Sequence, residues 1–404
     1  MTNVFLSRKK LTLSTSFPYP KKMGIKDFFT VLKDECPQVL HPLNVDALSG
    51  ISAAVDISVF FNNFVKTKED NWIDPMVRFL INLKKNKISA TFIFDGNEVP
   101  VEKQPEQQRR RDGFNKQKSR LERGKELLPV LRKHRDLGSL PSDDIIEELK
   151  SIIGPVRAKN MQTDFTDIYS IHPSLVTALG KIEQQTKSIL PEYTPIARDF
   201  IESFGFDHFL AKGEAEALCA SMAIEETVDA VITEDSDVMC YGTPYLLCKW
   251  KEGECIALAK DEMLKGLGMS FEAFRDMCIL LGCDYNKKDK DGNHLSLMGY
   301  PPDGVKRKKA VNIGAKKVVD MIKAYGNLEG CEPFLENPEV LRYQRCRELF
   351  VPPDTSFLPP PSVRNIDRKR LEKLWYKHGV GVPLETALKH LKAAEVVLEA
   401  DVEL

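Results

Sequence analysis

The sequence predicts an α/β fold in which an open sheet is covered by helices. Short apolar runs at residues 51–56 and 88–94 carry apolar side chains on both faces, which is typical of strands buried on each side. These runs alternate with segments of helical periodicity. Several of them stop at an Asp, and open α/β sheets build their sites at the carboxyl ends of strands.

The predicted elements follow this alternation. An amphipathic segment runs from Met23 to Leu32, and a helix with Phe60 and Phe64 follows the first strand. Residues 101–187 are charged and Gln-rich, so we expect inserted helices that are too polar to form a core. The alternation then returns with a helix at 197–204, a strand at 208–211, a helix from 214, a strand at 230–233, a helix at 271–281, a helix reaching 322, a Pro-rich linker at 351–361 and two short helical patterns.

Composition favours an ordinary globular protein of the cell interior. The chain has 404 residues, 42% hydrophobic and 29% charged, which is enough to bury a large core. Its nine cysteines form no Cys-x-x-Cys pair, which indicates reduced thiols and an intracellular location, in the nucleus or the cytoplasm. Arg8, Lys9 and Lys10 interrupt the N-terminal segment, and no long apolar run occurs, so a signal peptide, a membrane span and secretion are not expected.

Five acidic clusters, three of them directly after predicted strands, are the most informative feature. Their seven carboxylates cannot share one crevice at neutral pH unless cations neutralise them. Hard oxygen ligands suit Mg²⁺ or Mn²⁺ better than zinc. The sequence therefore predicts a metal-dependent enzyme with the candidate ligands Asp56, Asp95, Glu214, Glu216, Asp235, Asp237 and Asp284.

Each acid also has an ordinary explanation, because Asp commonly ends strands and first-turn acids suit the helix dipole. Asp235 and Asp237 are the stronger pair, since residues two apart point to the same side if the chain stays extended after Thr233. Gly213 suggests that Glu214 lies at a helix entry, where non-helical dihedrals let it converge with the next Glu.

Two basic windows indicate a polyanionic partner, although the net charge is only −1. Residues 103–135 contain twelve Lys or Arg against four Asp or Glu, and residues 287–317 contain nine against three. Patches of this size can hold a phosphate backbone, and a solvated helix face is the alternative.

The segment from Asn312 to Lys317 places a Gly turn between two helical patterns. A helix-hairpin-helix of this kind grips phosphates through backbone N–H groups and lysines without reading bases. A plain turn between helices with a C-cap glycine would look the same. The histidines lack metal-ligand spacing, and the sequence contains no nucleophilic triad or phosphate-cradling Gly loop.

Six motifs, in their order along the chain, resemble those of the flap endonucleases and XPG-type 5′-nucleases. They are Met23-Gly24-Ile25, Val55-Asp56, Phe94-Asp95-Gly96, Glu214-Ala215-Glu216-Ala217, Thr233-Glu234-Asp235-Ser236-Asp237 and Gly282-Cys283-Asp284-Tyr285. The resemblance extends from about Met23 to Leu391. It implies a PIN-like three-layer α/β/α nuclease fold, an inserted helical arch, a helix-hairpin-helix that holds duplex DNA and a two-metal reaction.

The resemblance also implies roles for individual residues. The seven acids correspond to the family's metal ligands, with two Mg²⁺ ions per site and Mn²⁺ as a substitute. The arch Lys and Arg that contact the scissile phosphate correspond to Lys103 and to Arg109 or Arg110, because a one-residue insertion after Gly96 leaves the register open. The implied DNA-binding residues are Gly24, Phe61, Ile313, Gly314, Lys316 and Lys317.

The chain departs from the family pattern at four places. Asn62 replaces the aromatic that stacks on a nucleobase, so Phe61 is the substitute candidate. Asn312 stands at the first Gly of the hairpin, and an insertion precedes it. The arch is longer than in flap endonucleases, which leaves the preference among flaps, bubbles and ends open. No Gln-x-x-hydrophobic-x-x-aromatic-aromatic tail follows Leu391, so sliding-clamp recruitment by that route is not expected.

We expect six segments along the chain. Residues 1–22 form an extension that we expect to be disordered and dispensable, with Met23 as the natural start. The other segments are 23–100, the N-terminal part of the nuclease domain; 101–190, the helical arch; 191–286, the internal part of the nuclease domain; 287–330, the basic insertion and helix-hairpin-helix; and 331–404, a C-terminal helical region.

The resemblance implies a structure-specific 5′ DNA endonuclease, with 5′–3′ exonuclease activity, in DNA replication, repair or recombination. Its expected substrates are 5′ flaps, single-strand/duplex junctions and nicks, and it is expected to be a monomer. Two alternatives stay open: a 5′-exoribonuclease of the same broad fold and a catalytically inactive DNA-binding scaffold. The intact carboxylates argue against the scaffold, and the hairpin segment favours duplex DNA.

Overall fold

The computed structural model describes residues 24–67, 71–156, 163–251, 253–286, 313–358 and 364–391, and the backbone alone at 298–299 and 311–312. The chain forms two compact units. The first contains the described residues of Met1–Phe61, Ile73–Glu106 and Leu190–Leu404, and the second contains those of Asn62–Trp72 and Gln107–Ile189.

A mixed seven-stranded sheet forms the centre of the first unit. Its strands are β1 (His41–Asn44), β2 (Ser52–Asp56), β3 (Ser89–Phe94), β4 (Asp207–Leu210), β5 (Ala230–Ile232), β6 (Tyr245–Lys251) and β7 (Glu254–Ala259). Their order across the sheet is β1-β7-β6-β5-β2-β3-β4. The strands from β6 to β4 pair in parallel, whereas β7 and β1 add an antiparallel edge. The predicted α/β class is confirmed.

The helices occur between and after the strands. In chain order they are α1 (Phe28–Glu35), α2 (Ile57–Val65), α3 (Ile73–Lys85), α4 (Gln104–Asp136), α5 (Asp143–Ile153), α6 (Ile168–Gln185), α7 (Tyr193–Ser203), α8 (Ala215–Ile224), α9 (Lys260–Leu267), α10 (Phe271–Leu281), α11 (Ala315–Tyr325), α12 (Leu328–Cys331), α13 (Tyr343–Leu349) and α14 (Arg368–Lys377). Helix α4 begins in the first unit and continues into the second, which also contains α5 and α6.

Helices cover both faces of the parallel strands. On one face, Ala54 and Val231 belong to a large apolar core that also takes in residues of α8 and α10. On the other face, Phe92 of β3 packs edge-on against Phe79 of α3, with ring centroids 6.4 Å apart. Burial on both faces explains why these strands are continuous apolar runs in the sequence.

The second unit has an apolar core of its own, and the expectation that residues 101–187 are too polar to form one is wrong. Leu131, Leu149, Ile171 and Leu175, from α4, α5 and α6, are fully buried in this core. Residues 109–120 of α4 contain six basic residues and no leucine, whereas its buried leucines, Leu127 and Leu131, lie in its second half. The averaged charge of the segment hid this division.

Sequence analysis missed the hairpin of β6 and β7 and the edge strand β1. The register shifts between Cys248 and Lys251, and Lys249 adopts a left-handed φ of 56°. An irregularity of this kind interrupts the alternation by which a half-buried strand is recognised.

The extension at 1–22, most of the basic window at 287–317 and residues 392–404 lie outside the described residues. In the described part, β8 (Met298–Gly299) pairs antiparallel with β9 (Val311–Asn312), so the predicted helical pattern directly before the Gly314 turn is wrong, because the backbone there pairs as a strand. Helix α10 packs against α11. Among the helices that the structure describes, none has the length and apolar character needed to cross a membrane.

Candidate active site

The carboxyl ends of three adjacent parallel strands bring acidic residues together. Asp56 is the last residue of β2, Asp95 directly follows β3, and Asp235 lies just beyond β5. Strand β2 lies between the other two. Burial, together with the charges of Asp95 and Asp235, raises the pKa of Asp56 to about 8. The predicted convergence of these three acids is therefore present.

Thr233 fixes two of these strand ends relative to each other. Its hydroxyl donates to Oδ2 of Asp56 at 3.0 Å and accepts the N–H of Asp235 at 3.1 Å. The N–H of Ser58 donates to Oδ1 of Asp56 at 3.2 Å. Both oxygens of Asp56 are therefore held, and its carboxylate has a fixed orientation.

Asp235 and Asp237 are connected by a turn, and the premise of an extended chain after Thr233 is wrong. Asp235 is the N-cap of a 3₁₀ helix, Ser236–Tyr241, and its Oδ1 accepts the N–H of Asp237 at 3.0 Å. This cap turns Asp237 into the interior, where the residue is 0% exposed. A local Asp-to-backbone hydrogen bond competes with strand extension, and here it prevails.

The entry of α8 supplies two further acids. Glu214 is the N-cap, with a φ of −81° and a ψ of 136°, and Glu216 lies in the first turn. The prediction that Glu214 has non-helical dihedrals at a helix entry is confirmed. Oδ1 of Asp95 accepts the N–H of Ala215 at 2.9 Å, so the acid that follows β3 also binds the first turn of α8.

Lys103 places its ammonium among three acids. Its Nζ contacts Glu214 closely, and lies 3.8 Å from Oε1 of Glu216 and 3.6 Å from Oδ2 of Asp284. Burial disfavours the charged form, but the surrounding carboxylates hold the pKa of Lys103 well above its ordinary value. Lys103 is therefore a buried cation inside the acidic cluster.

One ammonium does not satisfy all the acids. Both carboxylate oxygens of Asp237 and Oε1 of Glu216 are buried and accept no hydrogen bond from the residues that the structure describes. Burial, followed by the charge of Asp235, raises the pKa of Asp237 and of Glu216 well above ordinary values. A buried carboxylate without partners is costly unless a cation compensates it.

This donor set fits a hard divalent cation, because every candidate ligand is a carboxylate oxygen. As the side chains stand, no three or more His, Cys, Asp or Glu of the described residues form a ready metal-ligand set. The unpaired oxygens of Asp237 are the ones most available to such an ion.

Tyr285 was missed as a site residue, although the motif that identifies Asp284 contains it. Its hydroxyl donates to Oε2 of Glu214 at 2.5 Å and lies 3.1 Å from the hydroxyl of Tyr241. The ring of Phe350 packs edge-on against both tyrosines, with centroids 5.2 and 5.3 Å away. Glu214 is thus held between Lys103 and a packed tyrosine pair.

Gly24 lies directly against the acidic cluster. It has a φ of 74°, and a Cβ at this position would lie 2.3 Å from Oδ1 of Asp235 and 2.5 Å from Oγ of Ser236. The N–H of Ile25 donates to Oγ of Ser236 at 2.9 Å. Gly24 and Ile25 therefore pack against the turn that carries Asp235, and only a glycine fits at position 24.

The remaining predicted residues lie on or beside three other elements, α2, α11 and α4. Phe61 is 3% exposed, so its ring is not available to stack on a nucleobase, and that assignment is wrong in this structure. Gly314 is the N-cap of α11, Ile313 before it is buried, and Lys316 and Lys317 lie in the first turn. Arg109 and Arg110 are exposed residues of α4 in the second unit.

The sequence matches two models of one family. A model described as the XPG N-terminal domain matches residues 23–116, and one described as the XPG I-region matches residues 205–284. These matches contain all seven acids. The chain belongs to the XPG-type nuclease family.

Among related XPG-type proteins, Flap endonuclease 1 of Meyerozyma guilliermondii is 25% identical over 362 residues, which is 83% of this chain and 79% of that protein. Flap endonuclease 1 of Komagataella phaffii is 31% identical over 189 residues, which is 44% of this chain and 45% of that protein. Identity is thus higher over the shorter match than over the longer one.

Two solved structures share the fold. The catalytic core of Rad2 in complex with a DNA substrate has a TM-score of 0.56 and 18% identity, and the similarity covers 92% of this chain and 100% of that one. Flap endonuclease-1 from Methanococcus jannaschii has a TM-score of 0.52 and 17% identity, with 90% and 98% covered. The predicted PIN-like nuclease fold is confirmed.

Proposed function

We propose that this XPG-type chain is a structure-specific 5′-flap DNA endonuclease, with 5′–3′ exonuclease activity, that depends on divalent metal ions. The observation that supports it most is the buried carboxylate of Asp237, unpaired within a cluster of acids at the carboxyl ends of the parallel strands. The named relatives, both Flap endonuclease 1 proteins, support the same reaction class. An enzyme of this kind acts on DNA inside the cell, in replication, repair or recombination.

The residues that would hold Mg²⁺ or Mn²⁺ are the seven acids, and among the described residues the oxygens of Asp237 and Oε1 of Glu216 accept no hydrogen bond, although Oε1 of Glu216 lies 3.8 Å from the Lys103 ammonium. When bound, a pair of such ions supplies an activated water and stabilises the attacking and leaving oxygens of an in-line displacement. We propose that Lys103, whose ammonium lies 3.8 Å from Glu216 and 3.6 Å from Asp284, contacts a phosphate at the cluster and stabilises its charge in the transition state. We also propose that Arg109 or Arg110 acts with it.

Substrate binding is proposed to use the segment at the start of α11. The N–H groups before and within its first turn, with Lys316 and Lys317, form a phosphate-binding arrangement that is independent of sequence. Gly24 is proposed to lie near the bound strand because it touches the turn that carries Asp235. We expect a monomeric enzyme acting on flaps, nicks and single-strand/duplex junctions.

A substrate panel with Mg²⁺ tests the proposal. We expect cleavage of a 5′-flap DNA, and comparison with nick, bubble and blunt duplexes gives the structural preference. A matched RNA flap that is cut faster than the DNA flap would instead favour the exoribonuclease. No cleavage of any substrate, with DNA binding retained, would favour the inactive scaffold.

A carboxylate variant assigns the activity to this site. Asp235→Asn should lower the cleavage rate by about 100-fold or more, the size of loss seen when a transition-state electrostatic group is removed. Flap binding, measured with Ca²⁺ in place of Mg²⁺, should stay largely intact. The matched control is Glu262→Gln, which neutralises an exposed acid on α9 and should cleave normally.

A further inference from the structure

Lys103 ends a short turn that leads directly into α4, whose first residue is Gln104. The turn is a 3₁₀ helix of three residues, Val101–Lys103, in which the N–H of Lys103 donates to the carbonyl of Pro100 at 3.0 Å. A single 3₁₀ turn holds its direction weakly by itself. The position of the Lys103 ammonium therefore depends on its own carboxylate contacts, on the start of α4 and on what holds the turn itself.

Glu102 is anchored by a residue far along the chain. Nε of Arg345, on α13, donates to Oε1 of Glu102 at 2.8 Å. A second nitrogen of the same guanidinium donates to Glu348 at 2.9 Å, one turn later on α13. Arg345 is thus fixed on its own helix while it holds the turn beside the acidic cluster.

The ion pair between Arg345 and Glu102 is shielded from solvent at its Glu102 end. The side chain of Glu102 is 16% exposed, and its other oxygen, Oε2, is buried without a hydrogen-bond partner among the described residues. The hydrogen bond from Arg345 lowers the pKa of Glu102, so the carboxylate is charged at neutral pH. Loss of Arg345 would leave a shielded charge without its main partner and free the turn to move.

We propose that Arg345 is a positioning residue which, through Glu102, holds Lys103 in the acidic cluster. The inference rests on the proposed function, since it assigns a role in that reaction. Arg345 lies outside the matched regions of the family, residues 23–116 and 205–284. It makes α13, an element of the C-terminal region, a support of the active site.

The first test compares Arg345→Ala with Arg342→Ala. Arg342 caps the same helix, and its charge also lowers the pKa of Glu102, but it does not donate to Glu102 among the hydrogen bonds of the described residues, so the comparison isolates the hydrogen bond from the charge. Arg345→Ala should slow single-turnover cleavage of a 5′ flap by roughly 10- to 100-fold, the range expected when a catalytic group is displaced by about 1 Å. Arg342→Ala should cleave at close to the parent rate.

Binding and folding readouts separate positioning from a general structural role. The flap dissociation constant in Ca²⁺ and the thermal midpoint should be nearly unchanged in Arg345→Ala, since this side chain is 49% exposed. Arg345→Lys, which can still pair with Glu102, should recover part of the rate. Glu102→Gln should show the same defect as Arg345→Ala.

A double-mutant cycle with Lys103→Ala tests whether Arg345 affects cleavage through Lys103. If Arg345 acts through Lys103, adding Arg345→Ala to Lys103→Ala should cause little further loss. The inference would be overturned if the rate losses of the two single variants multiply in the double variant. It would also be overturned if Arg345→Ala cleaves at the normal rate or if Arg342→Ala is equally defective. A parent protein that does not cleave, or a Lys103→Ala variant that cleaves normally, would instead count against the proposed function and the role of Lys103.

Discussion

Asp237 is the residue whose surroundings most clearly call for a counter-charge. It is fully buried, neither carboxylate oxygen accepts a hydrogen bond from the described residues, and Asp235 and Asp284 lie near enough to raise its pKa. Selection for stability alone would not retain a carboxylate in this setting. Its retention is consistent with a role in cation binding.

Replacement of Asp237 should separate stability from activity. Asp237→Asn removes a buried group whose charged form is disfavoured, so the stability that the metal-free protein loses as pH rises should be smaller in the variant by about 1–2 kcal/mol in free energy of unfolding. The same change should abolish Mg²⁺-dependent cleavage and weaken Mn²⁺ binding measured by calorimetry. Urea denaturation measures the change in free energy of unfolding, and a flap-cleavage assay measures the loss of activity.

The matched control is Asp276→Asn. Asp276 is also buried, but Arg347 donates to its two oxygens at 2.7 and 2.5 Å. Neutralising this paired carboxylate should cost about 2–4 kcal/mol, because it leaves Arg347 without its buried partner. If both variants lose stability equally, the distinction between a paired and an unpaired acid does not hold.

Removal of the Tyr285 hydroxyl should weaken the hold on Glu214. Tyr285→Phe keeps the packing against Phe350 but removes the donor to Oε2 of Glu214. We expect a higher Mg²⁺ concentration for half-maximal cleavage, by roughly tenfold or more, as for other residues that orient metal ligands. Tyr241→Phe, which leaves the donor to Glu214 in place, should have a smaller effect, and a larger one would contradict this account.

The sequence located the acids better than the groups that hold them. Asp56 and Asp95 were predictable because each ends an apolar run. The contacts of Thr233, Tyr285 and Lys103 depend on side chains from distant segments, and no local pattern reports them. The prediction that Phe61 stacks on a nucleobase failed for a related reason. Tertiary packing decides which face of α2 is buried, and Phe61 lies on that face.

At the scale of elements, the N-terminal segment and the turn before the 3₁₀ helix at Ser236–Tyr241 are fitted to each other. Gly24→Ala should place a Cβ against Asp235 and displace it, so cleavage should fall by roughly 10- to 100-fold. Single-turnover cleavage of a 5′ flap measures the change. An added Cβ also strains the positive φ, at a cost of about 1 kcal/mol.

Gly50→Ala controls for that strain. Gly50 has a φ of 87°, yet a Cβ there would have no neighbour within 4 Å. This variant should lose a similar amount of stability and cleave normally. Equal cleavage by the two variants would show that the contact of Gly24 with the turn does not matter.

Elements with regular periodicity were predictable, and irregular ones were not. Strands β2, β3 and β5 and helices α7 and α10 follow continuous apolar or helical patterns. The turn that contains Asp237 depends on one side-chain hydrogen bond, from its own N–H to Asp235. The core of the second unit was hidden because its leucines share α4 with a strongly basic segment.

At the scale of the whole molecule, the acidic cluster links stability to pH and to metal ions. The folded-state pKa of Asp56 is raised to about 8, and those of Glu216 and Asp237 are also raised. For Asp56, the contribution to stability is present below the unfolded-state pKa, near 4, and is lost as pH rises through about 8, and the raised pKa values of Glu216 and Asp237 act in the same direction. The metal-free protein should therefore lose stability over this range.

Divalent ions should reverse that loss, because they bind the deprotonated carboxylates. We expect Mn²⁺ to raise the thermal midpoint more at pH 8 than at pH 5, as measured by calorimetry at matched ionic strength. The same titration with Asp237→Asn should show a smaller shift at pH 8. An equal rise in the thermal midpoint at both pH values would contradict this coupling between metal binding and carboxylate ionisation.

The seven acids all belong to the first unit, although residues 107–189 of the other unit interrupt that unit in the sequence. The candidate metal ligands and the inserted stretch are therefore separate in the sequence. We expect that grafting the corresponding stretch of a relative onto this protein changes which DNA junctions are cut and leaves Mn²⁺ affinity as it was. If the graft behaves in this way, sequence change within residues 107–189 can alter substrate preference while the carboxylates stay in place.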